Sequence, residues 1–225
     1  MDRDILYIEM YKLFKRRRAW IGPVLVFLLI IISFPLTLNI NSDNPPQIYL
    51  SFIWISTLLV TMLGTELIFS DDFEDGTLEQ YAVNDQLIEV VFYKIFVHWV
   101  LIGIPLAFVA FLFILSLNIS IQISSIALLC LIISNLIFIN FFSLGNALSL
   151  KKGSILGLLI TIPFLIPVLI VLGKMTTSAL LGLSLVGHLS LLVGVMILVA
   201  SFIPFVISFI PVSYTHLTLP TTTIV

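Results

Sequence analysis

Charge is what this chain of 225 residues has least of: Asp, Glu, Lys and Arg together make up 10% of it, less than half of their usual share in a soluble domain. With 60% hydrophobic residues and a mean hydropathy of +1.22, a water-soluble globule is excluded and an integral membrane protein is left. The single cysteine, Cys130, sits in an apolar run, which rules out a disulfide framework and any CxxC metal or redox site. No G-x-x-x-x-G-K-[ST] occurs. "LGKMTT" at 172–177 has a Gly-Lys pair but neither the upstream Gly nor the following Ser or Thr, so the chain cannot cradle nucleotide phosphates by that device. GxSxG and HExxH are also missing, which removes the common hydrolase arrangements. The expected partner is the lipid bilayer, not nucleic acid, and neither a metal nor a catalytic residue is expected.

What is present is a series of long apolar runs. At about 20 residues per helical span, they predict an all-α integral membrane protein with six transmembrane helices near 20–38, 48–69, 92–117, 122–147, 154–173 and 187–210. Lys151, Lys152 and Gly153 break the pattern before the fifth run, and a loop is expected around Lys174 before the sixth. Ahead of the first run, "DILYIEMYKLFKRRR" puts Leu6, Met10, Leu13 and Phe14 on one helical face, with Glu9, Lys12, Lys15 and Arg16 turned largely elsewhere. This predicts an amphipathic helix lying in the interface. Residues 1–211 are expected to form one membrane domain. The last fourteen, "VSYTHLTLPTTTIV", carry no charge and five Thr, and are expected to be an atypical tail and a sequence artefact.

Counting basic residues on alternate sides of six spans places Arg3, Lys12, Lys15, Arg16, Arg17, Arg18, Lys94, Lys151 and Lys152 on the side of the N-terminus and Lys174 alone on the other. The asymmetry predicts a multi-pass protein with both termini in the cytoplasm.

"FSDDFEDGTLEQY", residues 69–81, holds five of the twelve acids and follows the second span, on that same side. Its spacing does not fit an EF-hand loop, and acids outside a span do not suit an intramembrane aspartyl protease. Gly76 is placed to end one helix. Thr77 with Gln80 predicts a capping box that starts a short helix at Leu78. Leu78, Tyr81 and Ala82 would share its apolar face, with Glu79 off it. The segment therefore reads either as a docking element on the membrane surface or as a solvated acidic loop.

Several polar or helix-breaking residues fall inside spans. Glu66 is expected just inside the end of the second span, closing a gate or reaching the interface. His98 lies near the start of the third. Asn135, Asn140 and Asn146 occupy the fourth, where interhelical hydrogen bonds are expected. Pro163 and Pro167 predict a kink in the fifth. Glu66, His98, Pro163 and Pro167 are the candidates for a gate or a substrate path.

The acidic motif "FSDDFEDGTLEQ", preceded by "GTELIF" and followed by "VHWVLIGIPLAF" at 97–108 and "ITIPFLIPVLIV" at 160–171, resembles the CcmB family, the haem exporter permeases of the cytochrome c maturation system. The resemblance spans nearly the whole chain and fails at the last fourteen residues. It implies an ABC exporter type of permease in the bacterial inner membrane, working with a cytoplasmic ABC ATPase subunit that binds ATP, a haem-handling membrane protein and a periplasmic haem chaperone. Haem would then be a substrate and not a cofactor of this chain, with His98 as a conceivable axial ligand or a hydrogen-bonding partner of a neighbouring helix. The stretch between spans two and three would be a coupling helix, with Asp71, Asp72, Asp75, Gly76, Leu78, Glu79 and Gln80 coupling this chain to the ATPase. A permease for lipid or drug, or a scaffold without a transport cycle, would share the architecture.

Overall fold

The computed structural model describes residues 2–37, 45–150 and 154–215, and each regular element among them is a helix. In chain order these are α1 (Asp2–Lys15), α2 (Arg17–Thr37), α3 (Pro45–Thr65), α4 (Ser70–Glu74), α5 (Thr77–Val83), α6 (Leu87–His98), a π segment (Trp99–Gly103), α7 (Ile104–Ser116), α8 (Ile121–Ser149), α9 (Ser154–Leu180) and α10 (Val186–Thr215). Six spans among the described residues are long and apolar enough to cross a bilayer, the second including α3 and α4 and the third made of α6, the π segment and α7. Leu29, Phe92, Phe108, Phe164 and Phe202 are exposed on their outer surfaces, as lipid-facing side chains are.

The long helix α8 is the hub and packs against α3, α7, α9 and α10. Apolar contact alone drives helices together weakly in lipid, so small and polar residues do the joining. A Cβ added at Gly157 would overlap the backbone carbonyl of Gly145, so α8 and α9 cross there in direct backbone contact. Asn135 of α8 accepts from Thr61 Oγ1 of α3 at 3.1 Å and donates through Nδ2 to the Gly103 carbonyl at 2.9 Å. Trp99 Nε1 donates to the Ile132 carbonyl at 3.0 Å. The third span widens to a π turn between these two contacts, just before Pro105, which has no N–H to return to the preceding turn.

Several boundaries differ from the sequence expectation. Within the second span the helix α3 stops at Thr65, four residues before the expected end, and the span continues through a turn into α4. Thr65 Oγ1 turns back onto the Thr61 carbonyl at 2.9 Å, and the Phe69 N–H leaves the helix for Asn146 Oδ1 at 3.2 Å. The third starts at Leu87 and not at 92, because the charges of Glu89 and Lys94 fall within a helix that tolerates both. The fifth runs through the exposed Lys174 to Leu180, and the turn comes at residues 181–185, where Gly182 has φ +67°. No loop forms at Lys174 because its side chain reaches outward without interrupting the backbone. α10 continues to Thr215 into the expected tail; residues 216–225 and the Lys151–Lys152–Gly153 break lie outside the described residues.

Candidate functional site

The end of the bundle carrying α1, α4 and α6 is built around charge. Ile5, Glu9 and Leu13 recur every four residues along α1, form its buried face, and pack it on α6. The sequence reading turned Glu9 and Lys12 away with the polar face. Here Glu9 is only 4% exposed, and Met10 and Phe14 are on the outside. The reason is a partner in another helix. Lys94 Nζ of α6, itself 6% exposed, lies 2.8 Å from Glu9 Oε2 and 2.5 Å from Asp72 Oδ2. Lys12 Nζ closes the circuit at 3.2 Å from Glu9 Oε1 and 3.4 Å from Asp72 Oδ1. Two lysines and two carboxylates alternate in a neutral ring that ties α1, α4 and α6 together. Each buried ion costs several kcal/mol unless compensated, and alternation gives every member two opposite charges. Burial pulls the Lys12 pKa down, but Glu9 and then Asp72 outweigh it, and the net shift is upward. Arg16, in the break between α1 and α2, adds a peripheral pair with Asp71.

Gly76, at φ +78°, makes the turn between α4 and α5 in a left-handed conformation that favours glycine. The expected capping box does not form. Thr77 is already inside α5, and Asp75 Oδ1 accepts from the Thr77 N–H at 2.9 Å. Hydrogen bonding from the Thr77 side chain, and then from its N–H, holds the exposed Asp75 carboxyl below its ordinary pKa. The apolar face of α5 turns inward. Leu78 is buried, Tyr81 and Ala82 pack against the core, and α5 contacts α10. Only the far side is open, with Glu74, Asp75, Glu79, Gln80, Asn84 and Asp85 around Val83, which is 85% exposed. The acidic stretch thus divides its work: Asp72 binds Lys12 of α1 and Lys94 of α6, Asp71 binds Arg16 in the break after α1, and Asp75, Glu79 and Gln80 face out.

Beside the ring is a cleft of about 620 Å³, lined among others by Lys12, Glu66, Asp72, Lys94 and His98. Glu66 is not inside a helix as expected but in the turn after α3, and its backbone carbonyl accepts from Asn146 Nδ2. Asn146 therefore holds both ends of that turn, through Glu66 and Phe69. His98 Nδ1 is 2.8 Å from the Lys94 carbonyl. A carbonyl only accepts, so Nδ1 is the donor in this contact. Pro163 and Pro167 are brought to neither cleft nor ring; both are on the exposed side of a continuous α9. Asn140 donates only within its own helix, to the Leu136 carbonyl. Sequence reasoning missed Glu9, Lys12 and Lys94. The available signal was an acid in the middle of an amphipathic helix that ends in basic residues and a lone lysine in an apolar run, each of which needs an opposite charge.

Comparison with known proteins places these features in a wider set. The family described as "CcmB protein" matches residues 4–210. Heme exporter protein B of Pseudomonas aeruginosa is 31% identical over 204 residues, covering 89% of this chain and 92% of that protein. Its counterpart in Haemophilus influenzae is 29% identical over 205 residues, covering 90% and 93%. That of Escherichia coli K12 is 33% identical over 103 residues, 45% of this chain and 47% of that protein.

Proposed function

The chain belongs to the CcmB family, and from that premise we propose that it is the membrane permease of an ABC transporter for cytochrome c biogenesis, driven by a separate cytoplasmic ATPase. The relatives' name, heme exporter protein B, supports haem as the substrate in this reading, moved by the complex itself or released with a loaded periplasmic chaperone. The protein sits in the bacterial inner membrane with both termini in the cytoplasm, as nine basic residues to one argue.

One observation carries the reading of how it works. The only route inward from the exposed acidic surface of α5 that is made of buried charge runs, among the described residues, through α4 to the Glu9–Lys94–Asp72–Lys12 ring. A partner that pushes on Glu79, Gln80 and Val83 displaces α5, then Asp72, then Lys94 and the third span together with α1. Leu78 serves this transfer from the inside, as the buried anchor of α5 on the core. Coupling between sites needs an element with two positions, and a neutral ring of four ions can exchange partners without stranding a charge. Glu66 and His98 line the cleft beside that ring, which supports a role for them in sensing the movement or meeting substrate. The outward Pro163 and Pro167 act on the shape of α9 alone.

The test is a tagged pull-down from native membranes in mild detergent, with partners identified by mass spectrometry and a haem spectrum of the eluate. Co-purification of a P-loop ATPase and haem-handling membrane proteins is expected. Recovery of the chain alone, or with an ATPase of unrelated function, overturns the assignment.

A further inference from the structure

The elbow between α1 and α2 carries cations that the ring does not use. Lys12, Lys94 and Arg16 each have a carboxylate. Lys15, Arg17 and Arg18 are exposed, and none has an ion pair among the described residues. Beside them, the outer side of α1 presents Tyr7, Met10, Tyr11 and Phe14, with Tyr7 71% exposed. These side chains are pre-arranged. Tyr7 stacks on Tyr11 with ring centres 6.3 Å apart, Phe14 stacks on Trp20 at 5.8 Å, and Trp20 Nε1 donates to the Phe14 carbonyl at 3.5 Å. The same elbow opens a span, since α2 begins at Arg17 and is the first transmembrane helix. Three unpaired cations therefore stand where an apolar helix enters lipid, with a rigid aromatic shelf next to them.

We propose that this elbow is a binding surface for anionic phospholipid, with Lys15, Arg17 and Arg18 holding headgroup phosphates and the aromatic side of α1 set into the acyl boundary. Charge complementarity selects the occupant: among the described residues the three cations have no protein acid, and aromatic side chains favour the headgroup level of a bilayer. Arg16 is not part of the site because Asp71 neutralises it. Through the buried face of α1, lipid held at the elbow keeps Glu9 and Lys12 in the ring, so membrane composition reaches α4 and α6. The inference holds whatever partner the α5 surface takes.

The full chain is reconstituted in an equimolar mixture of phosphatidylcholine and phosphatidylglycerol, released, and weighed intact by native mass spectrometry. The wild type is expected to retain phosphatidylglycerol in preference to phosphatidylcholine. A triple variant, Lys15→Gln with Arg17→Gln and Arg18→Gln, is expected to lose that preference by roughly a hundredfold, from three basic residues at an anionic surface. Exchanging the charges in kind, with Lys15→Arg, Arg17→Lys and Arg18→Lys, restores it and separates charge from folding. Lys174→Gln, at the other end of the bundle, leaves it intact. Equal retention of the two lipids by the wild type, undiminished retention by the triple variant, or an equal loss in Lys174→Gln overturns the proposal.

Discussion

The two ends of the bundle are held by different chemistry. At the α1–α4–α6 end, buried ions alternate around Lys94. At the other, neutral groups meet across helices: Trp54 Nε1 donates to Thr176 Oγ1 at 2.9 Å and Gln47 Nε2 to Thr177 Oγ1 at 3.2 Å. Neutral hydrogen bonds between spans contribute modestly, about 0.6 kcal/mol on average, and tolerate loss of a partner. A buried ion cannot be left alone, so the charged end rearranges only in concert, each ion keeping a partner. That is the property a receiving end needs, and it coincides with the end that presents the acidic surface of α5.

The contrast can be broken most severely at Lys94. Replacing it with Met leaves Glu9 and Asp72 with Lys12 alone, itself partly exposed, and is expected to destabilise the protein by about 3–5 kcal/mol. A thermal unfolding series in detergent reads this, and an effect no larger than that of Trp54→Phe would show that the ends do not differ. Next comes the α8–α9 crossing. Gly157→Ala sets a methyl group against the Gly145 carbonyl, which is backbone and cannot rotate away, and about 1–3 kcal/mol of destabilisation is expected in the same assay. Asn135→Ala is expected to cost less, on the order of 1 kcal/mol, since it removes one acceptor and one donor of the neutral kind.

The pH dependence sharpens the comparison at its smallest scale. The Lys12 pKa is raised in the folded state, so its stabilising effect is complete below its ordinary value of 10.5 and is lost as pH rises through the folded value above that. Release of α1, followed by proteolysis at the N-terminus, is expected as pH rises through that value. The Asp75 pKa is lowered, so its contribution to the start of α5 is present above its ordinary 3.8 and disappears as pH falls through the lower folded value. The other end, held by neutral groups, is expected to show neither change.

Composition alone announced the membrane class, and the six spans follow from run length, because twenty apolar residues have few other fates. The interhelical use of Asn135 was also legible, since amides in a span seek partners, whereas Asn146 binds the backbone of the turn after α3. What was not legible is where charges go in pairs. Helical periodicity assigns Glu9 and Lys12 to a polar face and cannot know that Lys94, eighty-odd residues later, makes that face the inner one. The same blindness affects α5: its apolar stripe was correctly placed on Leu78, Tyr81 and Ala82, yet whether a stripe faces a partner or its own core depends on α10, which periodicity does not see. The outward surface is instead the acidic side with Val83.

The central claim is that this outward side of α5 receives a cytoplasmic ATPase. It is tested most directly by crosslinking in native membranes, with Val83→Cys or Glu79→Cys placed in a Cys130→Ser background. The account predicts a disulfide or short-linker product with the ATPase from both positions, none from the buried Leu78→Cys, and labelling only by reagents that reach the cytoplasm. Labelling from the periplasmic side, or an adduct at Leu78 and none at Val83, would contradict it.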